Sequence, residues 1–222
     1  MVRQLAACFI VCVWLVSLAF ALPVRGVEQE VLRIGIFTDL HAHDTNSPLD
    51  RFVMVTWEVR LRACVEAMNA WPADLMIELG DFINSRFVLG ADLGEPERIP
   101  GILASAAAVY AEFNGPRYYV LGNHDVGDLT KAAFLDNIGP NRTSLSFDAG
   151  GHHFVLLDAQ YRLNGTDRGE EFWYMQGYLP PRMLDWLRRD LAGSGLPTIV
   201  CLHQRLDVDY EARHGGPEVV NY

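Results

Sequence analysis

A chain of 222 residues, half of them apolar, can bury a sizeable core, and with no repeat or low-complexity tract this excludes a disordered or fibrous polypeptide. Eighteen basic against 28 acidic residues leave a formal charge of −10 with no basic run, which argues against a surface that binds nucleic acid by counterion release. The acidic balance does not exclude a phosphate substrate, because bound cations would reverse the local field.

The N-terminus stands apart by composition. Arg3 supplies positive charge, Leu5 to Leu22 is uncharged and almost wholly apolar, and Ala19-Phe20-Ala21 gives a small-x-small cleavage pattern. The expectation is a signal peptide over 1–21, a linker over 22–30 and a domain over 31–222, with export to the periplasm, the exterior or the secretory pathway. The alternative is an uncleaved anchor formed by 5–22, the chain's one expected contact with a membrane. Of four cysteines, Cys8 and Cys12 lie in that segment, while Cys64 and Cys201 read as isolated thiols.

Along the domain, Val31 to Phe37 reads as a buried strand and Arg51 to Ala70 carries the 3.6-residue period of an amphipathic helix. Leu75 to Leu79 is a second strand, Pro100 to Phe113 an alanine-rich helix, Tyr118 to Leu121 a third strand and Thr130 to Asn137 a short helix. Such alternation predicts parallel pairing through right-handed crossovers, with ligands at the carboxyl ends of the strands. From Ser144 the character changes. Ser144 to Ala149 and His152 to Asp158 form a hairpin across Gly150-Gly151, and after a polar stretch a helix opens at Pro180-Pro181 and runs to about Leu191. The strand Thr198 to Leu202 completes what predicts a second sheet.

Four of these strands end in polar residues: Asp39-Leu40-His41, Gly80-Asp81, Gly122-Asn123-His124-Asp125 and His203. One such set is unremarkable, since a lone Asp or His after a strand commonly caps a turn. Four sets together are not accounted for by turn chemistry. Asp, His and Asn are hard or borderline ligands suited to manganese, iron or zinc, and a carboxylate can bridge two such ions. The Asp39-x-His41 spacing puts both side chains on one face of an extended segment, and Gly80 and Gly122 let the backbone approach closely beside the site.

In this order the motifs resemble those of the calcineurin-like metallophosphoesterases, D-x-H, G-D, G-N-H-[DE], a later His and then G-H-x-H, with residues 33–204 covering the first four. The segment from Trp173 to Trp186 with Gln204-Arg205-Leu206-Asp207 looks like secreted bacterial members. The resemblance implies an α/β fold, a four-layer αββα sandwich with two mixed sheets. It also implies two divalent or trivalent metal ions, Mn, Fe or Zn. Asp39 and His41 would bind the first, Asp81 would bridge, and Asn123 and His203 would bind the second. His124 would sit over the phosphate, with Asp125 orienting its ring. The activity implied is hydrolysis of a small phosphate mono- or diester by attack of a bridging hydroxide on phosphorus. No G-H-x-H follows His203 before Tyr222, and His214-Gly215-Gly216 does not fit it. The resemblance therefore implies a C-terminally truncated member, and a noncatalytic fragment is the alternative function. His43 is a further candidate contact to phosphate, and Asp158 reads as a turn cap.

Overall fold

The computed structural model describes residues 31–43, 56–84, 87–88, 91–92, 96–139, 142–168 and 177–204. The chain divides into Met1–Val31 and Leu32–Tyr222, and every element below belongs to the second unit. The expected signal peptide and linker lie outside the described residues, as does His214. Among the described residues no helix is long and apolar enough to cross a membrane.

Three strands, β1 (Ile34–Phe37), β2 (Leu75–Glu78) and β5 (Arg117–Tyr119), pair in parallel in the order β1-β2-β5, as the alternation with helices predicts. The connecting helices are α1 (Trp57–Ala70) and α2 (Ile99–Tyr110). On α1 the buried residues Trp57, Leu61 and Val65 recur every four positions and make one stripe, and Pro72 follows the last turn, which it cannot continue. A short helix α3 (Lys131–Ile138) follows β5. Its start is fixed by Thr130, whose hydroxyl accepts from the Ala133 amide, and its end by Gly139 in the left-handed conformation.

The second sheet is mixed. The strands β6 (Leu145–Ala149) and β7 (His152–Leu156) form the expected antiparallel hairpin, and β8 (Thr198–Cys201) runs parallel to β7. Between β7 and β8 lies α4 (Pro181–Ser194), which opens on Pro181 and stops at left-handed Gly195. The sequence pattern misses a hairpin of two-residue strands, β3 (Phe87–Val88) and β4 (Ala91–Asp92), and a 3-10 turn at Pro96–Arg98, because such short pieces show no alternation to read.

Burial divides these elements into four layers. Alternation along β2 turns Leu75 and Ile77 toward the second sheet, where they meet Phe154, Leu156 and Cys201. Met76 faces the other way and packs with Trp57, Leu61, Leu103, Tyr110 and Phe134 of the first three helices. Val155 and Leu157 turn outward against Met183, Leu184 and Leu187 of α4. Tyr118 stacks flat on Phe147 at 4.0 Å, which sets β6 over β5 and leaves β8 over β1. On that open side Ile36, Ile199 and Val200 stay 56%, 39% and 40% exposed, and among the described residues no strand pairs beyond β1 or β8. Cys64 and Cys201 are both free thiols.

A charged clamp joins the last two layers. His153 on β7 bonds Asp148 Oδ1 through Nδ1 at 2.6 Å and Asp190 Oδ2 on α4 through Nε2 at 2.8 Å. With both ring nitrogens facing carboxylates, the imidazolium is the favoured form, and Asp148 first and then Asp190 raise its pKa. A raised folded-state value gives stability that is complete below the ordinary histidine pKa and is lost as pH rises through the folded one. The thermal midpoint should therefore fall more between slightly acid and mildly alkaline pH in the parent than in His153→Gln, as scanning calorimetry at several pH values would show.

Candidate metal centre

Each polar set stands at the carboxyl end of its strand: Asp39 and His41 after β1, Asp81 after β2, Asn123 to Asp125 after β5, and His203 after β8. The backbone there is strained. Among the described residues, Asp39, His41 and Asp81 are the non-glycine ones with positive φ, at 54°, 49° and 58°. Left-handed conformations at non-glycine residues are uncommon, and they concentrate where the surroundings over-determine them. Here the surroundings are a zipper between the two loops. Asp39 N donates to Gly80 O, His41 N to Asp81 O and Ala42 N to Phe82 O, at 2.9, 2.9 and 3.0 Å. Asp39 and His41 thus converge for a different reason from that expected: two left-handed residues, rather than the alternation of an extended strand, bring His41 Nε2 to 3.6 Å from Asp39 Oδ1. Gly80 and Gly122 are required by space. A Cβ on Gly122 would lie 2.1 Å from the amide and Oδ1 of Asp81, and one on Gly80 would lie 2.5 Å from His203 Nδ1.

The side chains meet at one oxygen. Asp81 Oδ2 has Nε2 of His203, His41 and His124 around it at 3.4, 3.8 and 3.9 Å, while Asp81 Oδ1 accepts from the His124 amide at 2.8 Å. The far ring nitrogens are occupied. His203 Nδ1 bonds Leu79 O at 2.9 Å and His41 Nδ1 bonds Asn84 Oδ1 at 3.3 Å, so each ring donates from Nδ1 and turns Nε2 toward Asp81, where a cation would displace the Nε2 proton. Metal-bound imidazoles are oriented in this way. Two groups, His41–Asp81–His124 and Asp39–Asp81–His203, each bring one donor atom per residue within 4.8 Å, and they share Asp81. Carboxylate and imidazole donors with one shared carboxylate fit a pair of manganese, iron or zinc ions. Asn123 is buried, and its Oδ1 accepts from Gln204 Nε2 at 3.3 Å.

Charge follows the same geometry. The hydrogen bond with His41 is the main reason that the Asp39 carboxyl drops to about 2. Burial works to lower His203, but the adjacent Asp81 carboxylate outweighs it and holds the ring up at about 9. At His124 burial, with the His41 and His203 charges, outweighs the pull of Asp81 and takes the ring down to about 4.

Asp125 differs from expectation. Instead of orienting the His124 ring, its fully buried carboxylate accepts from the amides of Asp81, Gly122 and Ile83 at 3.0, 2.8 and 3.0 Å. Asp125 therefore ties the loop after β2 to the loop after β5. Glu78 belongs to none of the motifs, although an acid inside the apolar run Leu75 to Leu79 is a signal. It is wholly buried, accepts from the Gly80 amide at 2.7 Å, and burial followed by the Asp125 charge pushes its pKa well up. His43 bonds the His41 carbonyl through Nδ1 at 2.6 Å. Asp158 caps as expected, accepting from the Gln160 amide at 2.8 Å.

A four-layer sandwich with paired acid and imidazole clusters at its strand ends defines a class of dinuclear hydrolases. The sequence profile of the calcineurin-like phosphoesterases matches residues 32–222, and the chain belongs to that family. No curated protein matches it significantly in sequence. Among solved structures it is similar to a dimetal phosphatase from Danio rerio, with TM-score 0.61 and 16% identity over 80% of this chain and 71% of that one. It is also similar to the purple acid phosphatase PPD1 of yellow lupin (Lupinus luteus) seeds, with TM-score 0.50 and 13% identity over 84% of this chain and 33% of that one. At such identities the likeness concerns the fold, and the family makes the chain a metal-dependent phosphoester hydrolase by class.

The loop-tying role of Asp125 is testable. Asp125→Ala strands three buried amide donors at about 1–3 kcal/mol each. Urea unfolding without added metal should show a loss of several kcal/mol, whereas a residue that only orients the His124 ring would leave stability unchanged.

Proposed function

We propose that this protein hydrolyses small phosphate mono- or diesters with two bound cations. Asp39 and His41 would hold one, Asn123 and His203 the other, and Asp81 both. The observation that carries the reading is the convergence of three imidazole Nε2 atoms on Asp81 Oδ2. Such a pair of cations, once bound, lowers the pKa of water and takes charge from the phosphoryl oxygens. The protein's own work is positional. Asp81 Oδ1 grips the His124 amide, and the His124 ring stands edge-on to His41 with centroids 4.6 Å apart, so its imidazole would lie beside a cation held at His41. From there the neutral His124 ring can donate its N–H hydrogen bond to the phosphate or the leaving oxygen. A second reading, His124 as a ligand, is favoured by its Nε2 lying in one donor group with His41 and Asp81.

For the leader, the reading supported by its composition is export. N-terminal sequencing of the protein recovered outside the cytoplasm should begin after Ala21, and a retained Met1 would favour the anchor.

Asp81→Asn should remove most hydrolysis of an aryl phosphate ester together with bound manganese or zinc, because an amide does not supply the bridging charge. Turnover within about tenfold of the parent, a scale set by ligand-shell substitutions, would sink the bridging role. His124→Ala should lower kcat while metal content, measured by atomic emission, stays at the parent value. Loss of metal instead would establish His124 as a ligand.

A further inference from the structure

Three buried carboxamides run in a chain that ends at Asn123. Gln160 lies just beyond β7, Gln204 directly follows His203, and both are buried with Asn123. Gln160 Nε2 donates to the Leu121 carbonyl at 3.1 Å and also to Gln204 Oε1, and Gln204 Nε2 donates to Asn123 Oδ1 at 3.3 Å. Beneath them Asp158 accepts from the Gln160 amide and carries the Lys131 ammonium at 2.6 Å, which anchors the start of the chain.

An amide side chain can be turned end for end at little steric cost, so its direction is set by partners that have one possible role. Leu121 O only accepts, and the Arg168 guanidinium, 3.5 Å from Gln160 Oε1, only donates. Gln160 is thereby fixed with its nitrogen toward Leu121 and Gln204. Gln204 must then offer oxygen to Gln160 and nitrogen to Asn123. Asn123 in turn must place oxygen toward Gln204. Its own Nδ2 is buried with no partner among the described residues, so Gln204 alone decides which way this carboxamide faces.

We propose that Gln160 and Gln204 are positioning residues that present the oxygen of Asn123 as a metal ligand, one of its lone pairs held by Gln204 and the other left for the cation. The inference rests on the reading of Asn123 as a ligand of the second ion. Partners of this kind typically change metal affinity by about 10-fold to 100-fold.

The test uses the 222-residue chain and Mn²⁺ alone, with free ion followed by its paramagnetic resonance signal and folding by thermal unfolding without metal. Gln204→Met and Gln160→Met should weaken one of two Mn²⁺ sites by about 10-fold to 100-fold and leave the other unchanged. Asn123→Ala should weaken the same site, and adding Gln204→Met to it should have no further effect. Equal weakening by Gln204→Met in that background, or parent affinity in a folded Gln204→Met, would overturn the relay. If Gln204→Met does not fold, Gln160→Met decides, and unfolding of both makes the amides purely structural. A parent chain that binds no Mn²⁺, or an Asn123→Ala chain that binds both ions normally, overturns the metal reading instead and the inference with it.

Discussion

Two loops at the carboxyl edge of the parallel sheet are held to one point by the carboxylate of Asp125, which accepts from the amides of Asp81, Ile83 and Gly122. That knot sets where Asp81 begins, and Asp81 then captures the His124 amide through its own Oδ1. Only Oδ2 is left to face the three imidazoles. The geometry of the centre is thus decided one shell behind the side chains that compose it, by a residue with no exposed surface. Glu78 repeats the arrangement on a smaller scale, pinning Gly80 from below.

Such a site is costly to hold together. Three non-glycine residues in left-handed conformations cost on the order of 1–3 kcal/mol each, and the buried carboxyl groups of Asp81, Asp125 and Glu78 add mutual repulsion. Against a net stability of roughly 5–15 kcal/mol for a domain, that strain has to be offset by packing. The aromatic cluster directly beneath supplies it: Phe37, Phe82, Tyr110, Tyr119 and Phe134 meet mostly edge to face, with centroids 5.2 to 6.5 Å apart. Each such pair contributes about 0.5–1.5 kcal/mol beyond its buried area.

The elements that the sequence made legible are those with a period or an interruption. Strands and helices showed as apolar runs and stripes, and the strand ends showed because Asp39, Asp81, Asn123 and His203 break those runs abruptly. What stayed hidden is non-local. The positive φ of Asp39 and His41 is imposed by hydrogen bonds to a loop forty residues away, and no local propensity announces it. The binding of three amides by Asp125 depends on two loops meeting in space, and the His153 clamp joins Asp148 and Asp190 across a helix. Gln160 lies outside any motif and Gln204 shows only as the residue after His203, since an amide acts through the direction of its partners rather than through its place in a pattern.

His203 comes from β8 of the second sheet, while every other candidate ligand comes from the first. The centre therefore straddles the seam between the two sheets, and it exists only while they are in register. A cation held there would fasten the layers like a rivet, stabilising the packed sandwich over any state in which the sheets slide apart. The seam also gives remote substitutions a route to the chemistry. A change at the α4 face of β7 or at the Tyr118–Phe147 stack touches no ligand, yet by tilting the second sheet it would move His203 relative to Asp81, so selection on activity would reach deep into a sheet that otherwise looks like scaffold.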